Sequence, residues 1–429
     1  MHKALGLVSW LDCLVFVGFL IPQLVIDPHA GIVKVISWLF TAIPYFGRNL
    51  NNTYIVAFLN PQNTGSIFTL PSLIFHDHIL LFKNERPEFV NDSTFFQELV
   101  IRLVKYSFAN LPSDIGRVFF KGEVVMPFYK FRLLRHGILP GSVPSGNPKE
   151  IDQDGARGLW VKTFEDSEPD VVLYYIHGGG FTMGSPYFYL EFLISWASKL
   201  QSSGFKNPAV FALDYTLVPD AKFPTQLNEA HKGYQVVHQL APAAEIVVCG
   251  DSAGGNIALS LLLYLARPRK DGGNGGASSY LRRPSYATLI SPWTVLVSSQ
   301  NKNTENDFLD ANQLHKFGVS YANGGDVSDP YKSPGLCQDL GWWEEALPVH
   351  GIHMVYGSQE VFTSEIKSLV SKFEKIKSVR LRVTEKPTIH AWPVVQAFIG
   401  ANMLQREEGL EIMAGAISEA LTLGKRILN

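Results

Sequence analysis

The sequence predicts an α/β protein built on a mainly parallel central sheet with helices on both faces. Two observations carry that expectation. From residue 159 onward, short and nearly continuous apolar runs alternate with helical stretches. Strands that apolar have no wet face, so helices must cover both sides of their sheet. Two of the runs also end in glycine-rich turns, "HGGG" at 177–180 and "GDSAG" at 250–254. A main chain so permissive is costly to order and calls for a reason.

The elements follow in order. "LWVKTF" at 159–164 and "VVLYYI" at 171–176 read as strands flanking a short turn. "PYFYLEFLISWASKL" at 186–200 is helical, with proline at its start, where the missing N–H is harmless. Residues 209–213 form a short strand, 223–240 a helix, 245–250 a strand and 253–266 a helix. Strands are expected again at 286–290, 352–356 and 379–383, and helix through most of 393–428. The Gly/Ser stretch at 267–284, with basic flanks, reads as a solvated loop. Ahead of this repeat, 95–111 has helical apolar spacing, and 136–158, rich in Gly, Pro and charge, reads as a linker.

Composition removes some classes. A net charge of −2 over 429 residues gives no sign of a nucleic-acid partner. Cys13, Cys249 and Cys337 are too few and too scattered for a disulfide framework or a zinc site. The apolar stretch at 4–26 is long enough to cross a hydrocarbon core, which takes ~20 residues. Asp12 within it counts against crossing, because a midplane carboxylate costs roughly 3 kcal/mol. A second stretch at 30–46 is shorter and carries Lys34. The first run is too long for a signal core and no small-x-small site follows it. The expectation is therefore a membrane segment, with a buried or interfacial helix as the alternative.

The two turns carry the chemistry. "GDSAG" matches G-x-S-x-G, a strand-to-helix turn so sharp that its central residue takes a strained backbone between small neighbours. Ser252 would project at a helix N-terminus, which favours negative charge developing beside it. An attacked ester carbonyl becomes an oxyanion and needs N–H donors with no side chain in the way, each typically worth ~3 kcal/mol of barrier. Gly178, Gly179 and Ala253 are the expected donors; the plainer reading of the first turn is a glycine-rich bend. His177 precedes the nucleophile and is expected to be architectural.

In sites of this kind the chain order is serine, acid, histidine. Of the later histidines, His315 falls in a helix, and His350 and His353 bracket the start of a strand. His390 lies in "PTIHAWP", between a strand and a helix, where a mobile imidazole belongs. Glu360 is the only carboxylate in the turn after strand 352–356; Asp329 and Asp339 lie upstream, and Glu365 lies in the next helix. The expectation is a Ser252–His390–Glu360 triad working through an acyl-enzyme, with no metal and no cofactor.

"HGGGF", "DYTLVP" at 214–219, "GDSAGGN" and the late histidine together resemble the hormone-sensitive-lipase branch of the α/β-hydrolases over 159–429. Within it, "YYIHGGGFTMGSPYFYLEFL", "ISPW" and "HAWP" look most like the fungal steryl acetyl hydrolases and related membrane-anchored esterases. That resemblance implies an α/β-hydrolase fold, a lipophilic short-acyl ester such as a steryl acetate as substrate, and an N-terminal anchor. It also implies a helical cap over the site and residence on the endoplasmic reticulum or another endomembrane. The domains expected are a membrane-associated segment at 1–50, a cap and linker at 51–157 and the catalytic domain at 158–429. Two departures stand out: the branch's usual acid is Asp where Glu360 stands, and its usual "YRLAP" reads "YTLVP". Two other functions fit the fold, an arylformamidase-type amidase and a non-catalytic receptor. The receptors of this branch have lost the histidine, whereas all three triad positions are filled here. Sequons at Asn51 and Asn91 would be usable only in a lumenal protein.

Overall fold

The computed structural model describes residues 5–27, 93–269 and 281–428. The second apolar stretch at 30–46, both sequons and most of the loop at 267–284 lie outside them.

One eight-stranded sheet organises the chain: β1 (Lys149–Gln153), β2 (Ala156–Lys162), β3 (Val171–Ile176), β4 (Pro208–Leu213), β5 (Glu245–Asp251), β6 (Tyr286–Ile290), β7 (Ile352–Gly357) and β8 (Leu381–Lys386). Their spatial order is β1-β2-β4-β3-β5-β6-β7-β8. β1/β2 and β2/β4 are antiparallel and every other pair is parallel. β3, β4, β6 and β7 are buried at every position, as two covered faces require.

Helices Thr225–Leu240, Ser252–Ala266 and Thr363–Phe373 cover one face, with Trp293 and Trp343 in that core. Helices Pro186–Ser202, Trp392–Ile399 and Met403–Leu428 cover the other, around Trp196 and Trp392. Each such fully buried large apolar side chain contributes roughly 1.5–3 kcal/mol.

Several boundaries differ from the sequence reading: β2, expected at 159–164, spans Ala156–Lys162, and the helix expected through 393–428 is two, Trp392–Ile399 and Met403–Leu428. The expected linker contains β1, so the sheet begins before residue 158. β1 is a polar edge strand with only Ile151 buried, and so carries no apolar signal. Its turn is a two-residue hairpin in which Asp154 (φ 54°) and Gly155 (φ 77°) are both left-handed, the conformation that Asp-Gly favours. β8 starts two residues later than expected, because its pairing with β7 runs from Ile352 opposite Leu381 to Gly357 opposite Lys386.

The larger correction concerns residues 4–26. They hold a 17-residue helix, Trp10–Ile26, about 26 Å long, against a hydrocarbon core of ~30 Å. Among the described residues no helix is long and apolar enough to cross a membrane. Asp12 has a local reason to be there. It closes a capping box with Ser9 at the helix start. It is also fully buried, 3.3 Å from Arg132 and 3.1 Å from Arg135. Leu20, with Phe16, Phe19 and Leu24, packs on Ile115, Val118 and Val124, while Trp10, Leu14 and Ile21 stay exposed.

Arg132 is the centre of a buried charge cluster. Its guanidinium donates to both oxygens of Glu191, at 2.7 and 3.2 Å, and Arg406 donates to the same carboxylate at 2.5 Å. Burial alone would push the Glu191 carboxyl up, but Arg132 and Arg406 outweigh it and hold it below the usual range. Removing one member of a buried cluster leaves an uncompensated charge. Arg132→Met is expected to destabilise the protein by about 3–5 kcal/mol, read from the denaturant midpoint. An unchanged midpoint would mean that the cluster does not fasten the N-terminal helix to the body.

Candidate active site

The site forms where β5 meets the helix Ser252–Ala266. Ser252 has a φ of 51°, a left-handed conformation that costs a non-glycine residue roughly 1–3 kcal/mol. The neighbours must be small. A Cβ on Gly254 would lie 2.0 Å from the Ile176 carbonyl oxygen, and one on Gly250 would lie 2.7 Å from the Gly254 backbone. Ala253 stands in the first turn of the helix, where N–H groups have no intrahelical acceptor.

The glycine loop follows β3 and reaches the same point. Gly179 (φ 100°) and Gly180 (φ 62°) take backbone that other residues rarely adopt. Gly178 departs from the sequence reading, because its N–H donates to Asp251 Oδ1 at 2.8 Å and is not free for an oxyanion. The N–H groups of Gly179 and Gly180 donate to nothing among the described residues. Asp251, the variable position of the G-x-S-x-G turn, is the anchor that sequence reasoning missed. It also accepts from the Tyr175 hydroxyl at 2.7 Å and the Tyr189 hydroxyl at 2.9 Å. The cue was a carboxylate beside Ser252, with two tyrosines flanking the HGGG loop.

His177 lies under this loop. It is sandwiched between Tyr215 and Tyr189, with ring centroids at 4.3 and 6.0 Å. Its Nδ1 sits 2.8 Å from the Gly178 carbonyl oxygen, and burial pushes its pKa down to about 4. From outside, Arg117 in helix Ser113–Phe120 clamps the loop. It donates to the carbonyls of Thr182 and Val218 and pairs with Asp220.

Glu360 and His390 arrive from the ends of β7 and β8, on the side of the sheet that β5 and β6 extend. Both are buried, and His390 Nδ1 lies 3.5 Å from Glu360 Oε2. Contacts of this kind commonly tighten only when substrate binds. Burial pushes the His390 imidazole down, but the neighbouring Glu360 carboxylate, then the charges of Asp307 and Asp251, outweigh it and raise its pKa. Phe362 and Phe308 face the imidazole edge-on, with centroids at 5.2 and 5.7 Å.

Ser291, just past β6, was not foreseen. Its hydroxyl donates to Glu360 Oε2 at 2.6 Å and accepts from the Ala391 N–H at 2.9 Å. Two residues on, the Trp293 N–H donates to the Ser252 carbonyl at 2.9 Å. This short segment therefore ties the serine turn to the loops of Glu360 and His390.

The other candidates lie elsewhere. His353 is buried in β7, bonded to Thr384, with a pKa pushed down to about 3 by burial and then by Arg382. His315 is exposed on helix Ala311–Tyr321, and His350 is half-buried before β7. Asp329 and Asp339 pair with Arg269 and Arg267, and Glu365 accepts from Ser298. Among the described residues no cluster of three His, Cys, Asp or Glu side chains could hold a metal ion.

A strained serine at a helix start, an imidazole backed by a carboxylate and an adjacent row of free N–H groups are the parts that acyl transfer needs. Comparison with known proteins agrees on the class. The family model described as the α/β-hydrolase fold matches residues 173–393. A putative steryl acetyl hydrolase of Schizosaccharomyces pombe is 27% identical, over 76% of this chain and 87% of its own. An acetyl-hydrolase of Streptomyces hygroscopicus is 27% identical, over 58% of this chain and 74% of its own. The crystal structure of a hormone-sensitive lipase from a metagenome library superposes with a TM-score of 0.52 at 25% identity, over 64% of this chain and 86% of its own. The chain belongs to the α/β-hydrolase fold family, in its hormone-sensitive-lipase branch, and is a hydrolase of the esterase and lipase class.

Proposed function

We propose that this protein hydrolyses short-acyl esters of bulky apolar alcohols, steryl acetates among them, with Ser252 as nucleophile, His390 as base and Glu360 as acid. The observation that carries the reading is the His390–Glu360 pair, tied by Ser291 and Trp293 to the strained Ser252 turn. His390 Nδ1 faces Glu360, which leaves Nε2 to take the Ser252 proton as Oγ attacks the acyl carbon. The oxyanion is received by the N–H groups of Gly179 and Ala253, with Gly180 in the place that Gly178 was expected to fill. Collapse of the intermediate expels the alcohol, which takes the proton back from His390. Water then attacks the acyl-enzyme with His390 again as base, releasing the acid and restoring Ser252.

The acyl preference rests on the two relatives named for acetyl hydrolysis and on physics. A closed acyl pocket discriminates by only roughly 1–3 kcal/mol per methylene, so the preference should be graded. On a common alcohol, kcat/KM is expected to fall from acetate to butyrate to octanoate, with steryl acetate turned over in detergent micelles. An optimum at octanoate would replace this reading with a long-chain lipase, and hydrolysis of formamides but not acetates would replace it with an amidase.

A further inference from the structure

Asp307 lies in the segment between β6 and helix Ala311–Tyr321, directly before Phe308 and far in sequence from Glu360 and His390. It is fully buried. Its Oδ1 accepts from the backbone N–H of His390 at 3.1 Å and of Phe308 at 2.9 Å, and its Oδ2 accepts from the backbone N–H of Val361 at 2.9 Å. One carboxylate therefore bonds to the base itself and to the residue directly after the acid. The same turn makes a second tie. Asp307 N–H donates to Thr304 Oγ1, and that hydroxyl donates to the Gln359 carbonyl, the residue directly before Glu360.

Both carboxylate oxygens are used as acceptors. An amide there would present a donor to a donor on one side, so the contacts call for a carboxylate. We infer that Asp307 is a positioning residue of the hydrolytic site: it fixes the spacing of the Glu360 and His390 loops and lends negative charge to the imidazolium formed at His390. This inference rests on the triad reading above.

The charges around it come from several elements. The carboxylates of Glu360 and Asp251 also act on His390. Lys105 of helix Phe95–Asn110 donates to the Thr304 and Glu305 carbonyls, with its charge near Asp307, Asp310, Glu305 and Arg102. Burial pushes the Asp307 carboxyl up to about 6, with Glu360 adding to the rise and His390 opposing it. A carboxylate beside His390 raises the imidazole pKa, so the base must work at a higher pH than it would without it. Removing that charge should move the acid limb of reactivity down.

The test follows the rate of Ser252 labelling by a fluorophosphonate against pH, in the full chain and in Asp307→Asn and Asp307→Glu. In Asp307→Asn the acid limb is expected about one pH unit lower, and the plateau rate roughly tenfold to a hundredfold lower. Asp307→Glu keeps the charge but reaches too far, so the limb should stay while the plateau falls. An unmoved limb in Asp307→Asn overturns the charge role, and a full plateau in Asp307→Glu overturns the positioning role. Should Asp307→Asn not fold, the Asp307→Glu plateau alone decides between the inference and its rejection. A full chain that reacts with the reagent at some residue other than Ser252 overturns the triad reading, and this inference with it.

Discussion

Ser252→Ala is expected to lower kcat for ester hydrolysis by about a million-fold, the scale on which losing the nucleophile of such a unit acts. The fold should survive. Alanine differs from serine only by the hydroxyl oxygen and meets the same left-handed φ of 51°, and nothing bonds to the Ser252 hydroxyl in the described hydrogen-bond network. Some catalysis over water should remain, about a thousandfold to ten-thousandfold, because Gly179, Gly180 and Ala253 still offer donors to an oxyanion. A Ser252→Ala enzyme that keeps a substantial part of the parent kcat, after contamination is excluded, would move the nucleophile elsewhere.

The second expectation concerns coupling. His390→Ala should lose nearly as much as Ser252→Ala, and Glu360→Gln about ten-thousandfold. The double change Ser252→Ala with His390→Ala should be little worse than either alone, because neither residue has a task without the other. Multiplying losses would mean that His390 does not serve Ser252. Glu360→Gln should act on kcat more than on KM. Glu360 touches His390 and Ser291, and on the proposed triad it would stabilise charge that appears only as the proton moves.

The parts of this architecture legible in the sequence are those written in local pattern. β3 and β6 end where the apolar runs end, because a strand covered on both faces has no polar position to blur its limits. The Ser252 turn was legible because its small residues are demanded by contacts within a few residues and with β3. What escaped depends on distant partners. Ile151 is the only buried residue of β1, and the Asp154–Gly155 turn was the one local cue to its hairpin. Which N–H of the glycine run points at the site depends on Asp251, 73 residues from Gly178. Asp307 acts through backbone N–H groups 54 and 83 residues away, which no side-chain motif records. The segment at 4–26 misled because an apolar run reads alike in lipid and against a protein surface. The pairing of Asp12 with Arg132 and Arg135, and the packing of Leu20 on Ile115, Val118 and Val124, tell the two apart.

The most direct measurement is to inactivate the purified full chain with a fluorophosphonate and map the adduct by peptide mass spectrometry. One adduct per chain is expected, on Ser252, with hydrolysis of an acetate ester lost in step with labelling. An adduct confined to another residue, or full esterase activity in a chain fully labelled at Ser252, would contradict the Ser252 assignment.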